Sequence, residues 1–267
     1  MANALSTVQV GAADGILTVT LNRPEVLNAF CADMGVELGA AFRLAQRDES
    51  VRCVVLTGAG RAFCAGQDVR ELRAMEGQGG APPDLGAYLR DKLNPLILRM
   101  RTMEKPVVAA VNGPAAGAGA SFAFAADLVI CARSASFKLA FASLGLVPDA
   151  AATFTLVQRV GYGRAAELCL LDEPLTAERA LEIGLVSRVV ADEALPATAR
   201  QTALRLAALP PRALALTKRA LNHAWTTTLD EHLAYESHLQ ATAGRTADHR
   251  EGMAAFLEKR PPRFTGQ

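Results

Sequence analysis

Three short apolar runs, CVVLTG from Cys53, PVVAAVNG from Pro106 and LVICA from Leu128, are rich in valine and lack a polar residue at every second position. A strand with one face in water needs that alternation, so runs without it belong in a sheet covered on both sides. Helices packed on both faces of a mostly parallel sheet meet this requirement. The intervening sequence agrees: ILTVTLN precedes a helical pattern from about Asp33 to Gln46, a second helical pattern runs near Tyr88 to Met103, and another helix follows PVVAAVNG. This βα succession predicts an α/β core. After about Ala191 the valine runs stop, and Thr202 to Lys259 reads as helices with apolar positions three and four residues apart. A core over residues 1–200 and a helical region over 201–267 are expected.

The chain has 267 residues, 51% of them hydrophobic and 21% charged, enough to bury a sizeable core. Its 28 basic and 27 acidic residues are spread along the chain, and no basic block offers nucleic acid or an anionic membrane an electrostatic footprint. Small molecules or protein partners are expected instead. The cysteines, Cys31, Cys53, Cys64, Cys131 and Cys169, lie far apart without a CxxC pair, which fits a reducing cytosol better than a disulfide framework. MANALSTVQVGAADG has neither the basic nor the apolar stretch of a signal peptide, so a cytoplasmic location is expected. Pro106 to Ala132 is low in charge, but its asparagine, prolines, glycines and Asp127 argue against a membrane span and for a strand, a turn and a helix. EGQGGAPPDLG, Glu76 to Gly86, reads as a mobile surface loop.

Several catalytic patterns are absent. The chain has no GxxxxGK[ST], no HExxH and no CxxC, and GAGRAF at Gly58 lacks the third glycine of a dinucleotide fingerprint. His223, His232, His238 and His249 fall in polar-faced C-terminal helices and are expected on the solvated surface.

Two glycine-bearing turns follow valine strands, CVVLTGAGRAFCAGQDV and PVVAAVNGPAAGAGASF. Small residues let the chain turn sharply and bring backbone N–H groups close to a ligand, and the second turn opens a helix whose N-terminus favours negative charge. Together they could form an oxyanion hole, where each donor is worth about 3 to 4 kcal/mol. Tight strand-to-helix connections would have the same composition. LGLVPDAAATF poses a similar choice at Asp149, the one charge in an apolar run. Pro148 followed by DAAAT makes Asp149 a good helix N-cap, worth about 1 kcal/mol. Alternatively, burial among Phe141, Val147 and Phe154 would raise its pKa and make it a general base near neutral pH. On residues alone both readings stand.

NRPEVLNAF, GAGRAFCAGQDV, NGPAAGAGASFAFAADLVICA and LGLVPDAAATFTLVQRVG succeed one another as in the crotonase, or enoyl-CoA hydratase/isomerase, superfamily, which the chain resembles from about Gly15 to Phe264. The resemblance implies a spiral of ββα turns, a C-terminal helical region that makes trimers or dimers of trimers, and an acyl-CoA thioester substrate. It implies that coenzyme A is part of the substrate, with no metal and no separate cofactor. Matched position by position, the oxyanion-hole donors would be the backbone N–H groups of Gln67 and Ala118, the Gln67 side chain mattering less. The thiol end of coenzyme A would run along Ala65, Gly66, Gln67, Asp68 and Val69, with Arg70 a phosphate partner. Phe256 and Lys259, in AFLEKR, resemble residues that reach a neighbouring subunit's coenzyme A site.

The departures set the expected reaction. Hydratases of the superfamily carry two glutamates where this chain has Ser121 and Phe141, so ordinary hydration should be poor and Phe141 joins the substrate-binding set. Asp149 matches the catalytic aspartate of certain isomerases and of a dehalogenase branch. The dehalogenase's histidine and tryptophan are replaced by Asn94 and Phe141, which argues against that branch. APPDLG, YLRDKLNPL, VPDAAAT, AGRTADHREGMAAFL and RFTGQ are similar to the branch that isomerises ring-1,2-epoxyphenylacetyl-CoA in phenylacetate breakdown. Ala150, Ala151 and Ala152 stand where that branch has glycines, and a narrower pocket is expected from them. An acyl-CoA isomerase is the leading expectation; an enoyl-CoA hydratase and a non-catalytic CoA-binding protein are the alternatives. Leu214, Leu216, Leu221, Trp225, Leu229 and Leu233 exceed what the helical region can bury alone, which also predicts assembly.

Overall fold

The computed structural model describes residues 7–74 and 83–267. β1 (Val8–Ala13) and β2 (Ile16–Leu21) form an antiparallel hairpin. Its turn, Asp14 and Gly15, takes positive φ at both residues, as a two-residue hairpin requires. From β2 onward the pairing is parallel: β2 with β3 (Cys53–Gly58), β3 with β4 (Val107–Val111), β4 with β6 (Leu128–Ala132), and β6 with β9 (Arg188–Val190). A smaller sheet holds β5 (Ala115–Ala116), β7 (Ser136–Lys138) and β8 (Leu175–Thr176) in the order β5-β7-β8.

The missing alternation has the expected cause. Val54 and Leu56 of β3 face one apolar cluster with Leu38 and Phe42 of α1 (Ala32–Arg47). Cys53 and Val55 face the other, with Val108, Ile130 and Leu195, Ala199 and Ala203 of α8 (Leu195–Ala207). Successive residues of one strand thus enter two different cores, and water reaches neither face.

After each central strand the chain steps to the second layer and then into a helix. β3 leads through the bridge Cys64–Ala115 to α2 (Val69–Ala74), β4 leads through β5 to α5 (Ala118–Ala125), and β6 leads through β7 to α6 (Ala152–Leu171). These are the ββα turns of a spiral. Expected and observed helices agree closely for α1. The pattern from Tyr88 to Met103 is instead α3 (Leu85–Tyr88), a π-helical turn at Leu89–Leu93 and α4 (Asn94–Thr102). The loop expected over Glu76 to Gly86 lies largely outside the described residues, and Leu85 and Gly86 already belong to α3.

α8 runs through residue 200, where the sequence places a boundary, and Ala203 still packs on the central sheet. The helical appendage therefore begins after Ala207, with α9 (Pro211–His223), α10 (Leu229–Ala243) and α11 (Ala247–Glu258). Lys218 pins α9 to the core: its ammonium donates to Asp127 Oδ2 at 2.7 Å and to the Met100 carbonyl at 2.8 Å. Asp127 Oδ2 also accepts the Val107 N–H at 2.8 Å, so the ion pair is hydrogen-bonded on both sides. Among the described residues no helix is long and apolar enough to cross a membrane.

Of the leucines read as an assembly face, Leu216 is buried within the chain itself, while Leu221, Trp225, Leu229 and Leu233 are exposed. The histidines divide too. His238 and His249 are exposed, whereas His223 and His232 are half-buried, with their Nδ1 atoms 3.3 Å apart and His223 packed on the Tyr235 ring. Helix-to-helix packing, which polarity alone does not reveal, covers them.

Candidate active site

The two glycine-bearing turns lie against each other. Ala116 N–H donates to the Cys64 carbonyl at 2.9 Å and Phe63 N–H to the Pro114 carbonyl at 3.0 Å, so each turn holds the other by main-chain bonds. The approach is close enough to exclude side chains: a Cβ on Gly119 would sit 2.3 Å from the Cys64 carbonyl oxygen. Gly66 has φ +92°, and its Cβ would lie 2.9 Å from the Ala116 carbonyl oxygen. Small residues are thus a condition of this pairing. Among the described residues, neither the N–H of Gln67 nor that of Ala118 has a protein acceptor. Ala118 is the first residue of α5, where the helix leaves its N–H groups free and partly positive.

Both groups border a cavity of about 160 Å³. Its wall is aliphatic and aromatic, with Leu72, Leu85, Leu89, Leu93, Leu144, Leu146 and Phe141, and its polar side chains are those of Gln67, Tyr88 and Asp149. Larger cavities occur, such as one of about 630 Å³ lined by Ile16, Val55 and Leu195, but that one lacks an acid.

Asp149 does not cap a helix. The residue before α6 is Ala151, whose φ of 64° is left-handed, whereas an N-cap residue takes extended geometry. Ala150 is left-handed too, at φ 48°. This pair carries the chain from Pro148 into α6 and leaves the Asp149 carboxylate on the cavity. Its Oδ1 is buried and has no hydrogen-bond partner. Burial in this setting pushes Asp149 up from its ordinary 3.8 to about 6. The expected source of that burial needs correction: Val147 and Phe154 are exposed, and of the three named residues only Phe141 lines the cavity beside the acid.

The alanines after the aspartate do not narrow the cavity. Ala150 and Ala152 point into the core, Ala151 packs against it, and none of the three lines the wall. Their consequence is conformational, since two successive left-handed alanines cost about 1 to 2 kcal/mol each.

At the two positions expected from the sequence to replace hydratase glutamates, the side chains are the hydroxyl of Ser121 and the ring of Phe141. Ser121 is fully buried in α5 and its hydroxyl donates to the Gly117 carbonyl at 3.2 Å. Phe141 lines the cavity. The loop bearing Phe141 and Leu144 is held by Asp172, which accepts the N–H groups of Ala140 at 2.5 Å and Ser143 at 3.1 Å. The thiols of Cys53, Cys64 and Cys131 are pushed up by burial to about 12, 11 and 12, so they stay protonated and are poor nucleophiles.

Of the remaining residues named from sequence, Ala65, Gly66 and Val69 border the cavity. Asp68 does not: it is ion-paired with Arg23 at 2.9 Å. Arg70 is exposed outside the cavity. Phe256, 80% exposed, and the exposed Lys259 lie on and just after α11 and do not line this chain's cavity. The sequence assigned no role to Tyr88, Leu85, Leu89 or Leu93. Their spacing along one helical stripe looks like ordinary core.

A carboxylate whose charging is opposed by burial has a direct pH signature. If Asp149 must be ionised to act, kcat/KM falls as pH drops through about 6 and levels off above it. A pH–rate profile flat from pH 5 to 8 would show that no such group governs the reaction.

Over residues 11–267 the sequence matches the family described as enoyl-CoA hydratase/isomerase. It is 49% identical over 253 residues to the 1,2-epoxyphenylacetyl-CoA isomerase of Escherichia coli strain K12, covering 95% of this chain and 96% of that one. It is 36% identical over 263 residues to the 2,3-dehydroadipyl-CoA hydratase of the same organism, covering 98% and 100%. The crystal structure of an enoyl-CoA hydratase from Bacillus anthracis superposes with TM-score 0.92 at 31% identity, over 98% of this chain and 100% of that chain.

Proposed function

The chain belongs to the enoyl-CoA hydratase/isomerase family, and from that premise we propose that it is an acyl-CoA isomerase in which Asp149 moves the proton. The observation that carries the reading is the Asp149 carboxylate, whose Oδ1 is buried without a hydrogen-bond partner at an apolar cavity that two free backbone N–H groups also border.

The chemistry runs in two balanced steps. Asp149 takes a proton from the carbon next to the thioester carbonyl; that C–H bond breaks, its electron pair moves to the thioester oxygen, and an enolate forms. The N–H groups of Gln67 and Ala118 stabilise the oxygen's negative charge. The protonated Asp149 then gives the proton to a carbon further along the conjugated system, the carbonyl re-forms, and product has the mass of substrate. A pKa near 6 suits both directions, because the group accepts a proton near neutral pH and releases it again. Coenzyme A enters as part of the substrate, and no separate cofactor is invoked.

Two observations favour a ring-bearing acyl group. The 49% identical relative is named for 1,2-epoxyphenylacetyl-CoA, and a cavity of about 160 Å³ is of the size that takes up benzene when lined with apolar side chains. We therefore propose that the protein acts in phenylacetate breakdown. We further propose a homotrimer or dimer of trimers, in which the exposed Trp225, Leu229 and Leu233 meet a neighbour and Phe256 and Lys259 reach its coenzyme A site. The five free cysteines fit a cytoplasmic setting.

A panel of enoyl-CoA and aromatic acyl-CoA thioesters, followed by mass spectrometry, tests the reading. Products of unchanged mass are expected, with hydration of crotonyl-CoA slow or absent because Ser121 and Phe141 replace the paired glutamates. Rapid appearance of mass-plus-water product, undiminished in Asp149→Asn, would overturn it in favour of a hydratase.

A further inference from the structure

The acyl cavity contains a polar group that the proton shuttle does not use. Tyr88 is 7% exposed and lines the cavity together with Asp149. Its phenolic oxygen accepts a hydrogen bond from Gln67 Nε2 at 2.8 Å. The same nitrogen donates to Glu71 Oε2 at 3.3 Å, and the two oxygens of Glu71 accept the Ala32 N–H, at the start of α1, at 2.9 and 3.1 Å.

This chain of bonds has a direction. An ionised carboxylate only accepts, so Glu71 fixes the nitrogen of the Gln67 amide, not its oxygen, toward itself and Tyr88. The tyrosine oxygen is thereby an acceptor, and its own O–H must point elsewhere. Among the described residues that O–H has no protein acceptor. A buried donor of this kind calls for a partner, and a hydroxyl held from behind by a second hydrogen bond is the form a recognition group takes. Burial pushes Tyr88 up to about 12, so it remains a neutral donor throughout the working pH range.

What meets it follows from the neighbours. Leu85, Leu89 and Leu93 line the same cavity and offer no side-chain acceptor. The thioester oxygen is served by the N–H groups of Gln67 and Ala118. Asp149 lines the same cavity, which puts the phenol at its reacting end. Building on the acyl-CoA reading, we propose that Tyr88 donates to an oxygen carried by the acyl group itself, so that the cavity selects oxygenated ring acyl-CoA thioesters over hydrocarbon ones of the same size. Gln67 and Glu71 are positioning residues for that contact. The Gln67 side chain thus has a task beyond the backbone N–H assigned to it from sequence.

Binding separates this from catalysis. Full-length wild type and Tyr88→Phe are titrated calorimetrically with phenylacetyl-CoA and with 2-hydroxyphenylacetyl-CoA, neither of which carries a carbon–carbon double bond outside its aromatic ring. Wild type is expected to bind the oxygenated thioester about tenfold more tightly, the scale of one well-made neutral hydrogen bond. In Tyr88→Phe that ratio should fall to about one, and in Gln67→Ala it should fall part of the way. A wild-type ratio of one, or a preference that survives in Tyr88→Phe, overturns the proposal while leaving the isomerase reading intact. Failure of wild type to bind either thioester overturns the acyl-CoA reading and this proposal with it. If Tyr88→Phe does not fold, Gln67→Ala supplies the same ratio test.

Discussion

Asp149→Asn lowers turnover of a confirmed isomerase substrate by about 100-fold or more, the scale of a positioned acid or base, while coenzyme A affinity stays near wild type. Asparagine has nearly the shape of aspartate but neither takes nor returns a proton at this pH. Stability supplies the control. Because the folded-state pKa is raised, to about 6 from 3.8, the fold favours protonated Asp149, and that favourable contribution is lost as pH rises from 3.8 through 6. At pH 7 to 8 wild type holds a charge that burial opposes, and asparagine removes it. The thermal midpoint of Asp149→Asn should therefore equal or exceed that of wild type near neutral pH, and the difference should shrink as pH falls below 6. Lost activity without lost stability is the signature of a functional acid. A variant with near wild-type turnover would send the search for the base elsewhere.

Ala118→Pro is expected to cost about 100- to 1,000-fold in kcat by deleting one of the two oxyanion donors. The position is favourable for the test. Ala118 is the first residue of α5, where proline is accepted because the missing N–H has no partner inside the helix. Gly117 before it, at φ 50°, has the conformational freedom that the residue preceding a proline needs. Ala118→Gly keeps the N–H and should retain most of the activity, which separates loss of the donor from disturbance of the turn. Circular dichroism and the thermal midpoint establish that the variant is folded. A folded and fully active Ala118→Pro protein would remove Ala118 from the oxyanion hole.

Much of the scaffold was legible because the central strands enter two dry cores. That constraint writes unbroken valine runs into Cys53–Gly58 and Val107–Val111, and the amphipathic period of α1 shows its helix to within a residue or two. The turns were legible as composition, since Gly66 and Gly119 lie where a Cβ would meet backbone. The resemblance added residue roles that periodicity does not supply. The π-helical turn at Leu89–Leu93 was not legible, because its apolar spacing is close to that of an α-helix and only the hydrogen-bond ladder differs.

By itself the sequence determined the α/β class, the small-residue turns after β3 and β4, the place of one acid in an apolar stretch, and the lack of a glutamate pair. Tertiary structure decided what those residues do. Whether Asp149 caps α6 or enters a cavity turns on the left-handed backbone of Ala150 and Ala151, a state that alanine rarely adopts and that surrounding packing must impose. Which N–H groups stay free depends on how two turns distant in sequence pair through Cys64 and Ala115. Tyr88 is the plainest case: its ring follows the same helical stripe as its leucine neighbours, and only the approach of Gln67 from another turn decides which way its proton points.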